Sequence, residues 1–191
     1  VGNRAKHSEE LVKEWCHETC FEIAKVSDVA VTLRRVQEED WNGLRAIRLE
    51  ALFDTPEAFG STYDDAILFN EDRWRTMARE HCYFLAERDG AVVGMISGGL
   101  NDGHPGTRWM YGMYVTPPYR GSGVANALVD AVCEWAKSEG VDKLFLHVTS
   151  AVPRARAFYT KIGFILTGDS FLMPRDASLE LLTMEKSLVN R

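Results

Sequence analysis

No stretch of this 191-residue chain stays apolar for the roughly eighteen residues that a membrane span needs, and its first residues lack the basic-then-apolar order of a secretory signal. Neither a membrane role nor export is expected, which leaves a cytoplasmic location. Basic residues are also short. The chain has 22 Lys and Arg against 28 Asp and Glu, a formal charge of −6. This argues against a nucleic-acid surface and leans toward cationic small molecules or basic peptides. Cysteine is scarce: Cys16, Cys20, Cys82 and Cys133 are not spaced as a disulfide framework and read as free thiols. Cys16, His17 and Cys20 lie close together, but no fourth soft ligand accompanies them, so no metal is expected. Two nucleotide signatures are missing as well. Nothing supplies the lysine and hydroxyl of a P-loop, and a dinucleotide fingerprint would need a glycine where Asn126 stands and an acid closing the next strand.

What is present is organised around residues 113–125, Met-Tyr-Val-Thr-Pro-Pro-Tyr-Arg-Gly-Ser-Gly-Val-Ala. The apolar, aromatic and β-branched run 109–115 reads as a buried strand, and Pro117 and Pro118 forbid its continuation. Val124, Leu128, Ala131, Val132, Trp135 and Ala136 then recur at helical spacing, which predicts a helix opening in the glycine-bearing segment from about Arg120. The first N–H groups of such a helix have no partner within it and carry the positive end of its dipole, so a strand, a glycine turn and a helix in this order suit a phosphate. Gly121 and Gly123 allow close backbone approach, and Arg120 adds a charge beside it.

Arg120-Gly121-Ser122-Gly123-Val124-Ala125 resembles the acyl-coenzyme A signature R/Q-x-x-G-x-G/A of the GNAT superfamily, the Gcn5-related N-acetyltransferases. The likeness extends to the strand ending Met-Tyr-Val-x-Pro and to Arg-Ala-x-x-Phe-Tyr-x-x-x-Gly-Phe over residues 154–164, and in element order it covers residues 29–188. It implies an α/β (α+β) acyl-CoA N-acyltransferase fold with a central mixed sheet of about seven strands flanked by helices. Residues 29–191 would form the acetyltransferase domain, and residues 1–28 a helical extension.

The element reading runs as follows. Residues 8–25 have an amphipathic helical pattern, and alternating β-branched residues over 29–36 mark a first strand. Asp40 is placed to cap a helix that carries Leu44, Ile47 and Leu52 and ends near Asp54-Thr55-Pro56. The segment 53–65 mixes aromatics with carboxylates and is the candidate acceptor loop, with Phe53, Phe59, Tyr63 and Asp64 as its substrate-binding residues; an ordinary solvated helix connection is the competing reading. A second helix spans 70–80. Strands 82–87 and 91–100 flank Asp89-Gly90, a hairpin turn. The loop 98–106 carries His104, a lone histidine that solvation explains as well as catalysis does. Beyond the central helix, which Gly140 ends, come a strand at 143–149, parallel to 109–115, a helix from Pro153 to Gly163, and strands at 164–167 and 179–184 joined through Met173-Pro174-Arg175-Asp176.

The resemblance implies transfer of an acetyl group from acetyl-CoA to a primary amine of a small molecule or peptide, by direct attack in a ternary complex. Met113, Tyr114 and Val115 would hold the pantetheine arm and the oxyanion through the strand edge. Arg120, Gly121, Ser122, Gly123, Val124 and Ala125 would hold the phosphates. Tyr159 matches the family's proton donor to the leaving thiol, and a core aromatic beside Phe158 is the competing reading. Two departures stand out. Val152 occupies a position where many relatives carry asparagine, and residues 108–115 contain no carboxylate to act as base, which leaves Glu50, Asp64 and Asp65 open. These departures motivate an alternative: a non-catalytic acyl-CoA-binding sensor or assembly module. A monomer or a homodimer fits either reading.

Overall fold

The computed structural model describes residues 24–26, 29–101, 104 and 106–189. Its elements in chain order are β1 (Ala24–Val26), β2 (Val29–Arg35), α1 (Trp41–Asp54), α2 (Tyr63–Ile67), α3 (Glu71–Glu80), β3 (Cys82–Arg88), β4 (Ala91–Gly99), β5 (Arg108–Val115), α4 (Val124–Ser138), β6 (Lys143–Thr149), α5 (Pro153–Lys161), β7 (Ile165–Met173) and β8 (Asp176–Ser187). Among the described residues the strands form one mixed sheet in the order β1-β2-β3-β4-β5-β6-β8-β7. Only β5 and β6 pair in parallel, as a strand–helix–strand crossover requires.

The sheet is covered on both faces. Against one face α4 packs Val124, Leu128 and Val132 onto Ile96, Leu144, Leu146, Phe164 and Met184. Against the other lie Leu44, Ile47 and Leu52 of α1 and Trp74 of α3, over Leu85, Met95 and Tyr114. Each such large apolar side chain contributes about 1.5–3 kcal/mol by leaving water. Leu144, Leu146 and Val148 alternate toward the α4 face, as their spacing predicts. Asp89 (φ 51°) and Gly90 (φ 78°) both take the left-handed conformation that a two-residue hairpin turn demands.

Four expectations are corrected. Ala24 and Lys25 belong to β1 rather than to the end of a helix, because the backbone of β2 offers them an edge to pair with; the rest of the predicted N-terminal helix, with Cys16, His17 and Cys20, lies outside the described residues. Asp40 stands at the start of α1 but its carboxylate does not cap it. It accepts from the Gln37 N–H (2.7 Å) and pairs with Arg34 (2.5 Å), closing the 3₁₀ turn Glu38–Asp40 instead. The acceptor segment is not all loop: Thr62 caps α2 by accepting from the Asp65 N–H at 3.1 Å. Finally, β7 and β8 are far longer than 164–167 and 179–184. β7 is an edge strand exposed over nearly its whole length, so no alternation marks its extent.

The feature that positions the site is a fork in the sheet. β5 pairs with β4 from Trp109 to Val115 but with β6 only from Arg108 to Met110. Between Met95 and Ser97 the β4 register slips, so that Ile96 stands opposite both Gly112 and Met113. Gly112 sits at φ 62°, a bulge geometry that bends and twists the strand. Beyond the bulge β5 diverges from β6, and its outer edge has no strand partner among the described residues.

Candidate active site

A cavity of about 280 Å³ opens at the fork. Met113, Tyr114 and Val115 line it from the end of β5, Tyr119, Arg120, Gly121 and Ala125 from the turn and first residues of α4, Arg154, Ala155, Phe158 and Tyr159 from α5 with Val152 just before it, and Thr55, Ala58 and Phe59 from the segment after α1.

The turn follows from its sequence. Pro117 and Pro118 start a 3₁₀ turn that ends at Tyr119, and the Ser122 hydroxyl donates to the Tyr119 carbonyl at 2.6 Å. The helix then begins at Val124, later than expected, because Gly123 lies at φ 91° and cannot be its first helical residue. No side chain caps it and no acidic residue lies in its first turn, so its positive end is uncompensated by protein. At Gly121 a Cβ would meet nothing within 4 Å, and the backbone there is open to a ligand. Ser122, Gly123 and Val124 shape the turn without lining the cavity, and Val124 is buried beneath it.

Arg120 does not project free beside the turn. Its guanidinium pairs with Asp54 and its Nε donates to the Val115 carbonyl at 3.0 Å, which ties the end of α1 to the end of β5. Asp54 is held below its ordinary value: partial desolvation opposes this, and hydrogen bonds from Arg120 and Thr55 outweigh it.

Tyr159 reaches the cavity from α5, its ring edge-on to Phe158 (5.4 Å) and Phe164 (5.7 Å). Burial pushes its phenol well above the ordinary tyrosine value, so it keeps its proton throughout the neutral range. Of the three carboxylates left open as bases, Glu50 contacts the cavity lining. Its Oε1 accepts from the Tyr114 hydroxyl at 3.1 Å, and burial together with this carboxylate raises the Tyr114 phenol. Asp65 instead accepts from the Thr62 hydroxyl at 2.6 Å. Asp64 is exposed on α2 and does not line the cavity. Nor do Phe53, 77% exposed, and Tyr63, which pack edge-on to each other at 5.8 Å. Phe59 alone of the four acceptor-loop residues is part of the wall. His104 lies against Trp109 (5.3 Å), at the start of β5, whereas the cavity opens at its end.

Two residues to which the sequence assigned no role at the site bear on the same wall. Arg175, in the β7–β8 turn, donates to the carbonyls of Phe59 (2.8 Å) and Pro56 (2.6 Å) and clamps the segment after α1. Arg154 lines the cavity and donates to the Thr55 hydroxyl at 3.4 Å.

An unpaired strand edge meeting an uncapped helix start across a cavity is an arrangement that comparison with known proteins can place. The model of the acetyltransferase (GNAT) family matches residues 41–164. The chain belongs to the GNAT family. The family uses acetyl-CoA. N-acetyltransferase 8 of Homo sapiens is 33% identical over 97 residues, 49% of this chain and 42% of that protein. Mycothiol acetyltransferase of Thermobispora bispora is 32% identical over 133 residues, 66% of this chain and 42% of that protein. The chain thus spans about two fifths of the length of these relatives. In fold it is similar to yncA of Salmonella typhimurium, described with its cofactor acetyl-CoA, at a TM-score of 0.67 and 20% identity, over 84% of this chain and 95% of that one. Among the described residues no helix is long and apolar enough to cross a membrane.

Proposed function

We propose that this GNAT protein transfers the acetyl group of acetyl-CoA to a primary amine by direct attack in a ternary complex. The observation that carries the reading is the convergence of three features on one cavity: the unpaired edge of β5, the uncapped start of α4 and the protonated Tyr159. Bound acetyl-CoA supplies a thioester carbonyl open to attack. The Met113 to Val115 backbone would hold the pantetheine amides as an added strand would, and an N–H of this edge would take the carbonyl oxygen. The backbone from Gly121 to Ala125 would hold the diphosphate, with Arg120 and Ser122 fixing the turn's shape. Tyr159 would give its proton to the departing thiol. Glu50, which accepts from the Tyr114 hydroxyl, would accept the proton of the amine through Tyr114 or a water. A purely binding module would not need a desolvated phenol beside the strand edge.

Thermal unfolding with and without coenzyme A and acetyl-CoA tests the cofactor site, alongside Gly123→Trp, which fills the turn. At about a hundred times its Kd, a ligand of the native state adds roughly 2.7 kcal/mol of stability. The expected result is a raised melting temperature for the parent and none for the variant. No shift in the parent would remove the acetyl-CoA reading. A shift without acetyl-CoA consumption by any amine would leave the binding module.

A further inference from the structure

Beside the cavity, on the far side of Phe59, lies a group that the transfer chemistry leaves unused. Arg48 of α1 runs inward under the segment after that helix, and its guanidinium sits 4.8 Å over the Phe59 ring. Its one recorded hydrogen bond is a long one, from Nη2 to the Ser61 hydroxyl at 3.4 Å. No carboxylate pairs with it among the described residues. Glu50, two residues along the helix, is engaged by Tyr114. Of the other arginines of this region, Arg34 pairs with Asp40 and Glu87 and Arg120 with Asp54, whereas Arg154 in the cavity wall donates to the Thr55 hydroxyl.

The surroundings are polar but not anionic. The sheet register sets Tyr83 of β3 beside Ser97 of β4, and Ser97 beside Tyr111 of β5. The Ser97 hydroxyl donates to the Tyr111 carbonyl at 3.3 Å. At the β5 bulge, a Cβ on Gly112 would come within 3.3 Å of Arg48 Nη1 and 3.8 Å of Ser97 Oγ. The guanidinium and the Ser97 hydroxyl therefore lie against a strand position that carries no side chain and immediately precedes Met113 of the cavity wall, with the Ser61 hydroxyl on the guanidinium's Nη2. Burial pushes the Arg48 guanidinium below its ordinary value, and Tyr83 only partly opposes this. A cation–π contact with Phe59 offsets part of the desolvation of a charge, and what completes it elsewhere in proteins is a carboxylate.

Resting on the transfer reading above, we propose that Arg48 is the anion-recognition residue of the acceptor site and that the acceptor is a small amine bearing a carboxylate, such as an amino acid or a short peptide with a free C-terminus. The planar fork of the guanidinium takes two carboxylate oxygens, and a glycine at 112 lets it lie close against the β5 backbone. The amine end of such a molecule then extends along β5 toward Met113, where the edge holds the thioester. Of the acids in segment 53–65, Asp54 is consumed by Arg120, Asp65 by the Thr62 hydroxyl, and Asp64 faces solvent, so on this reading none of these three selects the acceptor.

The test is calorimetric binding of a paired panel to the protein saturated with coenzyme A, followed by kcat and KM with acetyl-CoA. Each α-, β- and γ-amino acid and each dipeptide is measured as the free carboxylate and as the carboxamide. For at least one pair the parent is expected to favour the carboxylate by about 100-fold. Arg48→Gln should bring that ratio near unity through KM, with acetyl-CoA affinity unchanged, and Arg48→Lys should keep part of it. The inference is overturned if no carboxylate is favoured by the parent, if the preference survives Arg48→Gln, or if Arg48→Gln weakens carboxylate and carboxamide equally, which marks a structural prop. Should Arg48→Gln not fold, the parent ratio and Arg48→Lys decide. Transfer to amines regardless of a carboxylate sinks this inference and leaves acetyl transfer standing, whereas loss of coenzyme A stabilisation in the parent sinks the transfer reading itself.

Discussion

The proposed function puts two demands on Tyr159: a ring that fills the junction of α5 with the sheet, and a hydroxyl that serves the reacting centre. The ring's edge-on contacts with Phe158 and Phe164 satisfy the first. On the proposed reading burial serves the second, because a phenol pushed above its ordinary value of about 10 keeps its proton through the neutral range and would be available to a thiolate whose conjugate acid titrates near 8.5. Tyr159→Phe separates the two. It keeps the ring, so the melting temperature and the KM for acetyl-CoA should change little, while kcat should fall by about 10²-fold or more, the ordinary contribution of a positioned proton donor. Steady-state kinetics at saturating acetyl-CoA check this, and an unchanged kcat would return Tyr159 to the core-aromatic role that its sequence neighbours also allow.

At the scale of elements, the glycine turn works only if α4 lies close enough to β4 and β5 for its first N–H groups to face the strand edge. Two small residues set that approach. At Gly98 of β4 a Cβ would come within 2.2 Å of the Trp135 ring of α4, and at Gly94 it would stand 3.0 Å from Leu128 and from the Tyr114 carbonyl. The indole is bulky and rigid, so Gly98→Ala must lift the helix or turn the ring out. Overpacking of this kind costs about 1–3 kcal/mol, measurable in urea unfolding, and it should also weaken coenzyme A binding because the turn moves with the helix. Restoring space with Gly98→Ala/Trp135→Leu should recover much of both losses. These contacts explain why element types were easier to read than their limits. Pro117, Pro118, Gly123, Gly140 and Gly163 punctuate backbone geometry and leave marks in the sequence. The ends of β7 and β8, by contrast, are set by pairing with each other along an exposed edge, where side chains carry no burial pattern.

Across the whole molecule, the site is closed by contacts between distant parts of the chain, and there the sequence was least legible. Arg120 and Asp54 are 66 residues apart, and Arg175 reaches carbonyls 116 and 119 residues away. A single arginine has no period and no spacing to betray its partner, so neither Arg48 nor Arg175 stood out, whereas the turn and Tyr159 did because their neighbours form a recognisable run. Phe53, Tyr63 and Asp64 illustrate the converse: adjacency in one segment suggested a common site, but α2 directs Tyr63 toward Phe53 and leaves Asp64 in solvent. The Arg175 clamp yields the last expectation. Its guanidinium is the link between the β7–β8 turn and the segment after α1, and both bonds go to backbone carbonyls, so a lysine cannot reproduce the fork. Arg175→Ala frees Pro56 to Phe59 on one side. The Phe59 ring is buried in the α1 core and should stay, so global stability falls by about 1.5–3 kcal/mol, the ordinary worth of one hydrogen bond to a charged group, the bond to Pro56 being exposed. The wall that Thr55, Ala58 and Phe59 present to the cavity becomes mobile, and the acceptor KM should rise several-fold more than the KM for acetyl-CoA, whose turn on α4 is untouched. Hydrogen exchange localised to residues 55–61, read beside the two KM values, checks this. Equal changes in both, or none in either, would mean that the clamp does not shape the acceptor side.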